Sequence, residues 1–228
     1  MNQKISKRLK QVAQFVPQDA RLVDVGSDHA YLPLFLVESG VIRYAIAGEV
    51  VSGPYQSARQ NIQDSIYRDC IEVRLADGLA AFEEEDQMTV ITIAGMGGRL
   101  IADILEAGKD KLRQMERLVL QPNNRESDVR AWLERNDFQL VAETILEEHG
   151  KFYEILVAEP GRKELTAIER QFGPYLVQEM SQDFQQKWKR EAVKLQRALY
   201  QIPANHTMER TRMGEKIRQI KEVLDVSQ

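Results

Sequence analysis

The stretch at residues 138–158 restricts the fold more than any other. Two long strand-like runs, Phe138–Leu146 and Phe152–Ala158, are separated only by Glu147-Glu-His-Gly-Lys151. A link that short closes a hairpin, so the two strands must be antiparallel. Everything upstream alternates instead. Ile5, Leu9, Val12 and Val16 recur at helical spacing, and Pro17 closes that first helix. Strand-like runs follow at about residues 21–25, 44–49, 71–75, 88–94 and 117–121, with helical stretches near 31–39, 54–65, 98–107 and 125–136. Such βαβ alternation predicts a parallel sheet with helices on both faces.

Five parallel strands finished by an antiparallel hairpin is the pattern of α/β class I (Rossmann-like) methyltransferases; a dinucleotide-binding dehydrogenase would continue with parallel units. Pro160-Gly161 then ends the alternation, and the remainder reads as helix. Val177, Met180, Phe184, Trp188, Ala192, Leu195, Leu199 and Ile202 advance mostly by four and three, as do Met213, Ile217, Ile220 and Leu224 after a break at Pro203-Ala-Asn-His206. Two heptad-like helices joined by such a loop predict an antiparallel coiled-coil hairpin, whose longer arm of about 28 residues would reach roughly 42 Å. The expected domains are therefore 1–160, an α/β unit, and 161–228, a helical hairpin.

With 228 residues, 43% of them apolar, the chain can bury one core and carry a small second module. No apolar run approaches the roughly 20 residues that cross a bilayer, and no signal peptide is visible, so a cytoplasmic protein is expected. Cys70 is the single cysteine, which excludes an intrachain disulfide. His29, His149 and His206 are scattered, so no metal site is expected. The net charge of −4 is unevenly spread. Residues 1–160 hold 18 Lys and Arg against 26 Asp and Glu, and residues 161–228 hold 13 against 9. That segregation can separate an acidic ligand-binding half from a half that touches polyanions.

Ligands of open parallel sheets bind outside the carboxyl ends of the strands. Here those ends carry Asp24 and Asp28 in Leu22-Val-Asp-Val-Gly-Ser-Asp-His-Ala30, Glu49 in Ile46-Ala-Gly-Glu-Val50, and Asp77 in Val73-Arg-Leu-Ala-Asp-Gly-Leu79. The fourth strand ends in the backbone-rich corner Ile93-Ala-Gly-Met-Gly-Gly98. A rim this acidic suits a ligand with a diol, amines and positive charge, as in S-adenosylmethionine, and suits a pyrophosphate poorly. Gly26 allows close backbone approach, and the helix beyond it is expected to offer free N–H groups to a carboxylate. Asp24 can hold an ammonium group. Glu49, 23 residues beyond Gly26, stands where a second-strand carboxylate takes ribose hydroxyls. Asp77 can accept from an adenine amino group while Gly78 N–H reaches a ring nitrogen. Ala94, Gly95 and Met96 form a backbone wall with room for a flat base. Asp28 and Ala30 stand where a glycine-rich dinucleotide loop needs small residues, and the Gly-x-x-x-x-Gly-Lys-Ser/Thr phosphate loop is absent. Gln121-Pro-Asn-Asn124 supplies amides that can read a base edge. The residues leave three readings open: a methyltransferase acting on RNA, one acting on a small molecule or protein, and a non-catalytic RNA-binding module on a degenerate methyltransferase fold.

The strings Asp24-Val-Gly-Ser-Asp-His-Ala-Tyr-Leu-Pro33, Gly48-Glu-Val50, Ala76-Asp-Gly-Leu79, Ile93-Ala-Gly-Met-Gly-Gly98 and Leu120-Gln-Pro-Asn123 together resemble the bacterial tRNA (adenine(22)-N(1))-methyltransferase family (TrmK-like). The resemblance spans nearly the whole chain. It implies a class I fold, S-adenosylmethionine as methyl donor and the D arm of tRNA as substrate, with no obligate protein partner. Adenine N1 carries an in-plane lone pair and can attack the methyl directly, so alignment and desolvation matter more than a general base. Asp28, His29, Tyr31 and Asn123 are candidates for positioning the base, with the carbonyls around Ala94–Met96 as further acceptors. Lys187, Lys189, Arg190, Lys194 and Arg197, with Arg210, Arg212, Lys216 and Arg218, are candidates for tRNA phosphates, joined at the N-terminus by Lys4, Lys7, Arg8 and Lys10.

Overall fold

A computed structural model describes residues 5–225. Helix α1 (Lys7–Ala13) precedes the alternating elements β1 (Arg21–Val25), α2 (Tyr31–Glu38), β2 (Tyr44–Glu49), α3 (Ser52–Gln63), β3 (Ile71–Leu75), β4 (Val90–Met96), α4 (Gly98–Ala107), β5 (Arg117–Pro122) and α5 (Glu126–Arg135). The hairpin β6 (Phe138–Glu148) and β7 (Lys151–Pro160) follows, then α6 (Ala167–Phe172), α7 (Pro174–Glu179), α8 (Gln182–Gln201) and α9 (Thr207–Asp225). The sheet runs β3-β2-β1-β4-β5-β7-β6, with β1 to β5 parallel and β7 antiparallel to both its neighbours. This is the class I methyltransferase order. Among the described residues no helix is long and apolar enough to cross a membrane.

Central strands are apolar on both faces because helices cover both. Val23, Val25, Ile91 and Ile93 pack with Ile101 and Leu105 of α4 and Val129 and Trp132 of α5. Leu22, Ala45 and Val90 pack on the other side with Val12 of α1, Leu32 and Leu36 of α2, and Ile62 of α3. Two carboxylate oxygens of Glu148, at the end of β6, accept from the amides of Lys7 and Arg8 and so cap α1 against the hairpin. Lys7 is further tied through Nζ to the Glu147 carbonyl.

The C-terminal part departs from the expected single 28-residue arm. The chain turns at Gly173 (φ +87°) and again at Met180 (φ +49°), so Val177 lies in the separate helix α7. Pro174 starts that helix, and the Ser181 hydroxyl accepts from Phe184 N–H to begin α8, which has 20 residues. Phe172, Leu176, Phe184, Trp188, Ile220 and Val223 then close a third core with Ile145 of β6.

Beneath this third core lies a buried ionic cluster. Arg130 of α5 is fully buried and donates to Glu143 of β6, 2.7 Å, and to Glu154 of β7, 2.5 Å. Lys187 of α8 donates to Glu154, 2.6 Å, and to Glu126 of α5, 2.5 Å. A Cβ at Gly173 would lie 2.6 Å from Arg130 Nη2, so only glycine lets the chain pass here.

Candidate active site

The carboxyl edge of the parallel strands gathers the predicted acids, but in distinct environments. Asp24 is buried at the end of β1, and its Oδ1 accepts from Thr92 Oγ1 of β4 at 2.6 Å. Burial pushes its carboxyl up to about 6, against the opposing pull of the Thr92 hydroxyl and the Arg8 charge. Glu49, at the end of β2, is buried and accepts from the Asp28 amide. Desolvation raises its pKa too, opposed by that amide, with Asp24 and Asp28 adding to the rise. The Asp28 side chain is 82% exposed and lies 3.4 Å from His29 Nε2, while the His29 ring stacks on Tyr31 with centroids 5.2 Å apart. Asp28, His29 and Ala30 all hold positive φ (+40°, +64°, +58°), a costly run for residues with a Cβ. Asn61 Nδ2 donates to the His29 carbonyl, 3.0 Å, and helps to hold this turn.

The Gly26 turn differs from expectation in one respect. The amides of Gly26 and Ser27 donate to the Gly48 carbonyl, at 2.9 and 3.2 Å, and the Asp28 amide is taken by Glu49. These N–H groups are used to join β1 to β2, so they are not open to a ligand carboxylate. Gly26 itself is required. Its φ is +68°, and a Cβ there would lie 2.1 Å from Met96 Cε. The Ser27 hydroxyl is buried without a hydrogen-bond partner among the described residues.

Asp77 is exposed at the end of β3 and opens a 3-10 turn, and Gly78 (φ +52°) sits over Ile104. Ala76 N–H donates to the Glu49 carbonyl, 2.8 Å, which aligns the ends of β2 and β3. Val50 and Leu75, 61% and 54% exposed, add apolar surface beside the two acids.

The fourth strand bulges between Ala94 and Met96, with Gly95 at φ +85°. Gln121, fully buried on β5, organises this corner: its Oε1 accepts from Gly95 N–H (3.0 Å) and from Arg8, and its Nε2 donates to the Pro122 carbonyl (2.8 Å) and to Asn123 Oδ1 (3.2 Å). The amide expected to read a base edge at this position is thus consumed internally. Asn123 is exposed but fixed; its Nδ2 donates to the Gly95 carbonyl, 2.6 Å, and its N–H to the Met96 carbonyl, 2.7 Å. The carbonyls of Gly95 and Met96, expected as acceptors for a base, are already engaged by Asn123.

Between these groups lies a cavity of about 280 Å³, bounded by Asp24, Gly26, Ser27, Tyr31, Met96 and Asn123, with Arg8 and Tyr153 closing it. Glu49, Asp77 and Gly78 continue the same sheet edge outside it. A larger groove of about 900 Å³ runs from Asn123 and Tyr153 between α5, β7 and the α8–α9 pair, lined by Arg190, Lys194, Arg212 and Lys216. The structure brings these four cations together. Lys189 and Arg197 are exposed on α8, and Arg197 shares a surface with Arg190 and Lys194.

Three expected phosphate contacts have other work. Lys187 faces Glu126 and Glu154, so its charge is already compensated. Arg210 donates to the carbonyls of Leu199 and Ile202, at 3.0 and 2.6 Å, and caps the end of α8. Arg8 points into the cavity, bonded to Gln121 and lying 5.6 Å from the Tyr153 ring centroid. Lys4 falls outside the described residues. Sequence reasoning missed Thr92, Ser27 and Tyr153. A Thr at the centre of an otherwise apolar strand was a signal for the first; Tyr153 had none, because its strand reads as ordinary hairpin. Among the described residues no group of three or more His, Cys, Asp or Glu is placed to hold a metal ion.

Known proteins share this fold. The chain is 41% identical over 233 residues to the tRNA (adenine(22)-N(1))-methyltransferase of Bacillus subtilis, covering 97% of this chain and 98% of that one. The crystal structure of the B. subtilis m1A22 tRNA methyltransferase TrmK superposes with a TM-score of 0.90 at 40% identity, over 97% of this chain and 99% of that one. A Streptococcus pneumoniae protein crystallised in complex with S-adenosyl-L-methionine superposes with a TM-score of 0.92 at 61% identity, over 97% of this chain and 100% of that one. The family model of TrmK, tRNA (adenine(22)-N(1))-methyltransferase, matches residues 22–222, and the chain belongs to that family.

Proposed function

We propose that this chain, an S-adenosylmethionine-dependent tRNA (adenine-N1)-methyltransferase by family, divides its task between the acidic sheet edge and the basic groove. Residues 1–160 form the donor-binding unit, and residues 161–228 supply the grip on the D arm. The sheet edge fits the donor. A buried carboxylate at Asp24, a buried Ser27 hydroxyl and a left-handed Gly26 packed against Met96 all line one cavity. Asp24 holds the ammonium group, Glu49 the ribose hydroxyls, and Asp77 with Gly78 N–H the adenine edge. When bound, S-adenosylmethionine supplies a methyl group on a sulfonium, which the N1 lone pair can take without prior loss of a proton.

The chain's own work is then positional. Asn123 Oδ1, held by Gln121, keeps a lone pair for the exocyclic amine of the target. Asp28, exposed at the cavity mouth, lies where it can offset the positive charge that methylation places on the base. His29 stacks on Tyr31, which lines the cavity, and so backs that ring. Stacked or paired adenine hides N1, so the nucleotide must be drawn out of the D arm. Lys194, Arg212 and Lys216, with Arg190, Lys189 and Arg197, bind the phosphates on either side; Lys7 and Lys10 extend the positive surface. Such an enzyme works in the cytoplasm, where tRNA is its substrate.

The observation that carries this reading is that the basic groove and the acidic cavity meet at Asn123. A triple variant, Lys194→Glu, Arg212→Glu and Lys216→Glu, tests it. Its affinity for tRNA should fall by orders of magnitude with a shallower salt dependence, while S-adenosylhomocysteine binds as before. Unchanged tRNA affinity would refute the grip. Methyl transfer to tRNA bearing guanosine at position 22 would refute the choice of base.

A further inference from the structure

We infer that Tyr153 is the stacking platform for the target adenine, a step that rests on the tRNA-methylating reading above. The two cavities have only Asn123 and Tyr153 in common among their lining residues. A nucleotide lying in the basic groove therefore reaches the donor cavity by passing between these two side chains. Tyr31, at the start of α2, lines the donor cavity and not the groove, so it stands on the donor's side of the passage.

Asn123 and Tyr153 are complementary in what they offer. The Asn123 amide is locked by Gly95, Met96 and Gln121, and presents a polar edge. Tyr153 sits on β7 opposite Leu146, packed against the core formed by the first three helices, so its ring is held in place. The Arg8 guanidinium lies over the ring at 5.6 Å, and Arg8 is itself held by Gln121. The base stacks where the ring borders both cavities. Stacking on an aromatic ring tolerates the loss of base pairing that extrusion requires. It also grows stronger during the reaction. Adenine is neutral on arrival and cationic once N1 is methylated, and a phenol ring attracts a cationic partner more than a neutral one. Tyr153 thus favours the transition state over the bound substrate.

The test uses the full-length protein with Tyr153→Phe and Tyr153→Ala. Turnover is measured on tRNA, S-adenosylhomocysteine affinity by calorimetry, and base stacking by the fluorescence of tRNA carrying 2-aminopurine at position 22, in the presence of S-adenosylhomocysteine. The Phe variant should keep kcat/KM within about threefold. The Ala variant should lose about 10- to 100-fold, the range expected for one base–aromatic stack. Its 2-aminopurine complex should be brighter than that of the parent, with S-adenosylhomocysteine affinity within about twofold. The assignment is overturned if the Ala variant matches the parent in kcat/KM or in fluorescence. It is also overturned if the Phe variant falls as far as Ala, or if both lose S-adenosylhomocysteine in parallel. A parent enzyme that leaves adenosine 22 unmethylated would instead strike the functional reading, and the platform with it.

Discussion

Asp24 makes the binding of a cationic ligand depend on pH in a range where few carboxylates titrate. Its ordinary value is 3.8, and burial lifts it to about 6. That shift corresponds to about 3 kcal/mol held against the ionised form in the ligand-free protein. Below 3.8 the carboxyl is protonated in both folded and unfolded chains. Between 3.8 and about 6 the folded protein keeps a proton that the unfolded chain has released, so this group's contribution to stability declines as pH rises through that window. An ammonium ligand needs the ionised form. Affinity for S-adenosylhomocysteine should therefore be roughly tenfold weaker at pH 5 than at pH 7, with about half a proton released per ligand bound near pH 6. Glu49, also pushed upward, steepens the trend. Calorimetry from pH 5 to 8, repeated in buffers of different ionisation heat, measures both quantities. Asp24→Asn should leave only the smaller pH dependence that Glu49 supplies, weaken binding at pH 7.5, and raise the ligand-free melting temperature. The upper limit of that rise, about 3 kcal/mol, corresponds to about 6–12 °C for a chain of this size. An affinity flat from pH 5 to 7, with heats independent of buffer, would refute the reasoning.

Four other perturbations separate the roles assigned above. Gln121→Leu removes the bonds that hold Gly95, Asn123 and Arg8, and should lower kcat on tRNA by about tenfold or more while S-adenosylhomocysteine still binds within about threefold; equal losses in steady-state kinetics and calorimetry would count against it. Gly26→Ala must adopt φ +68° and displace Met96, which lines the same cavity, so calorimetry should show S-adenosylhomocysteine affinity reduced by about tenfold or more. Lys187→Met leaves Glu154 with Arg130 alone and should cost about 3–5 kcal/mol in chemical denaturation, with no change in the salt slope of tRNA binding. Lys194→Ala should do the reverse, leaving stability intact and lowering that slope by about one.

The succession of parallel strands, the closing hairpin and the acidic edge were legible because they depend on local signals. Hydrophobic runs, a five-residue hairpin link and carboxylates at strand ends survive in the sequence without knowledge of packing. The break at Gly173–Met180 was harder to read. Val177 and Met180 fit the heptad spacing of α8, and the deciding facts, a left-handed Met180 and a glycine pressed on Arg130, are tertiary. The same holds for the cations. Lys187 and Lys194 look alike in sequence, yet one meets Glu126 and Glu154 across the fold and the other lines the groove. Gln121 was read as offering its amide to a base edge, but Gly95 N–H and Arg8 take its Oε1 while Pro122 and Asn123 take its Nε2. Tyr153 and Arg8 come together from opposite ends of residues 1–160, which no spacing rule reports.

The ionic cluster under the third core also bears on how the enzyme chooses its nucleotide. Glu154 accepts from Arg130 on one side and Lys187 on the other, so α8 cannot swing away without stranding a carboxylate in the protein interior. The molecule therefore behaves as a caliper with a locked jaw. If α8 and α9 clasp the D arm as proposed, the span between that phosphodiester chain and the methyl donor is set before any substrate arrives, and a nucleotide one step nearer or farther along the stem would not fit that gauge.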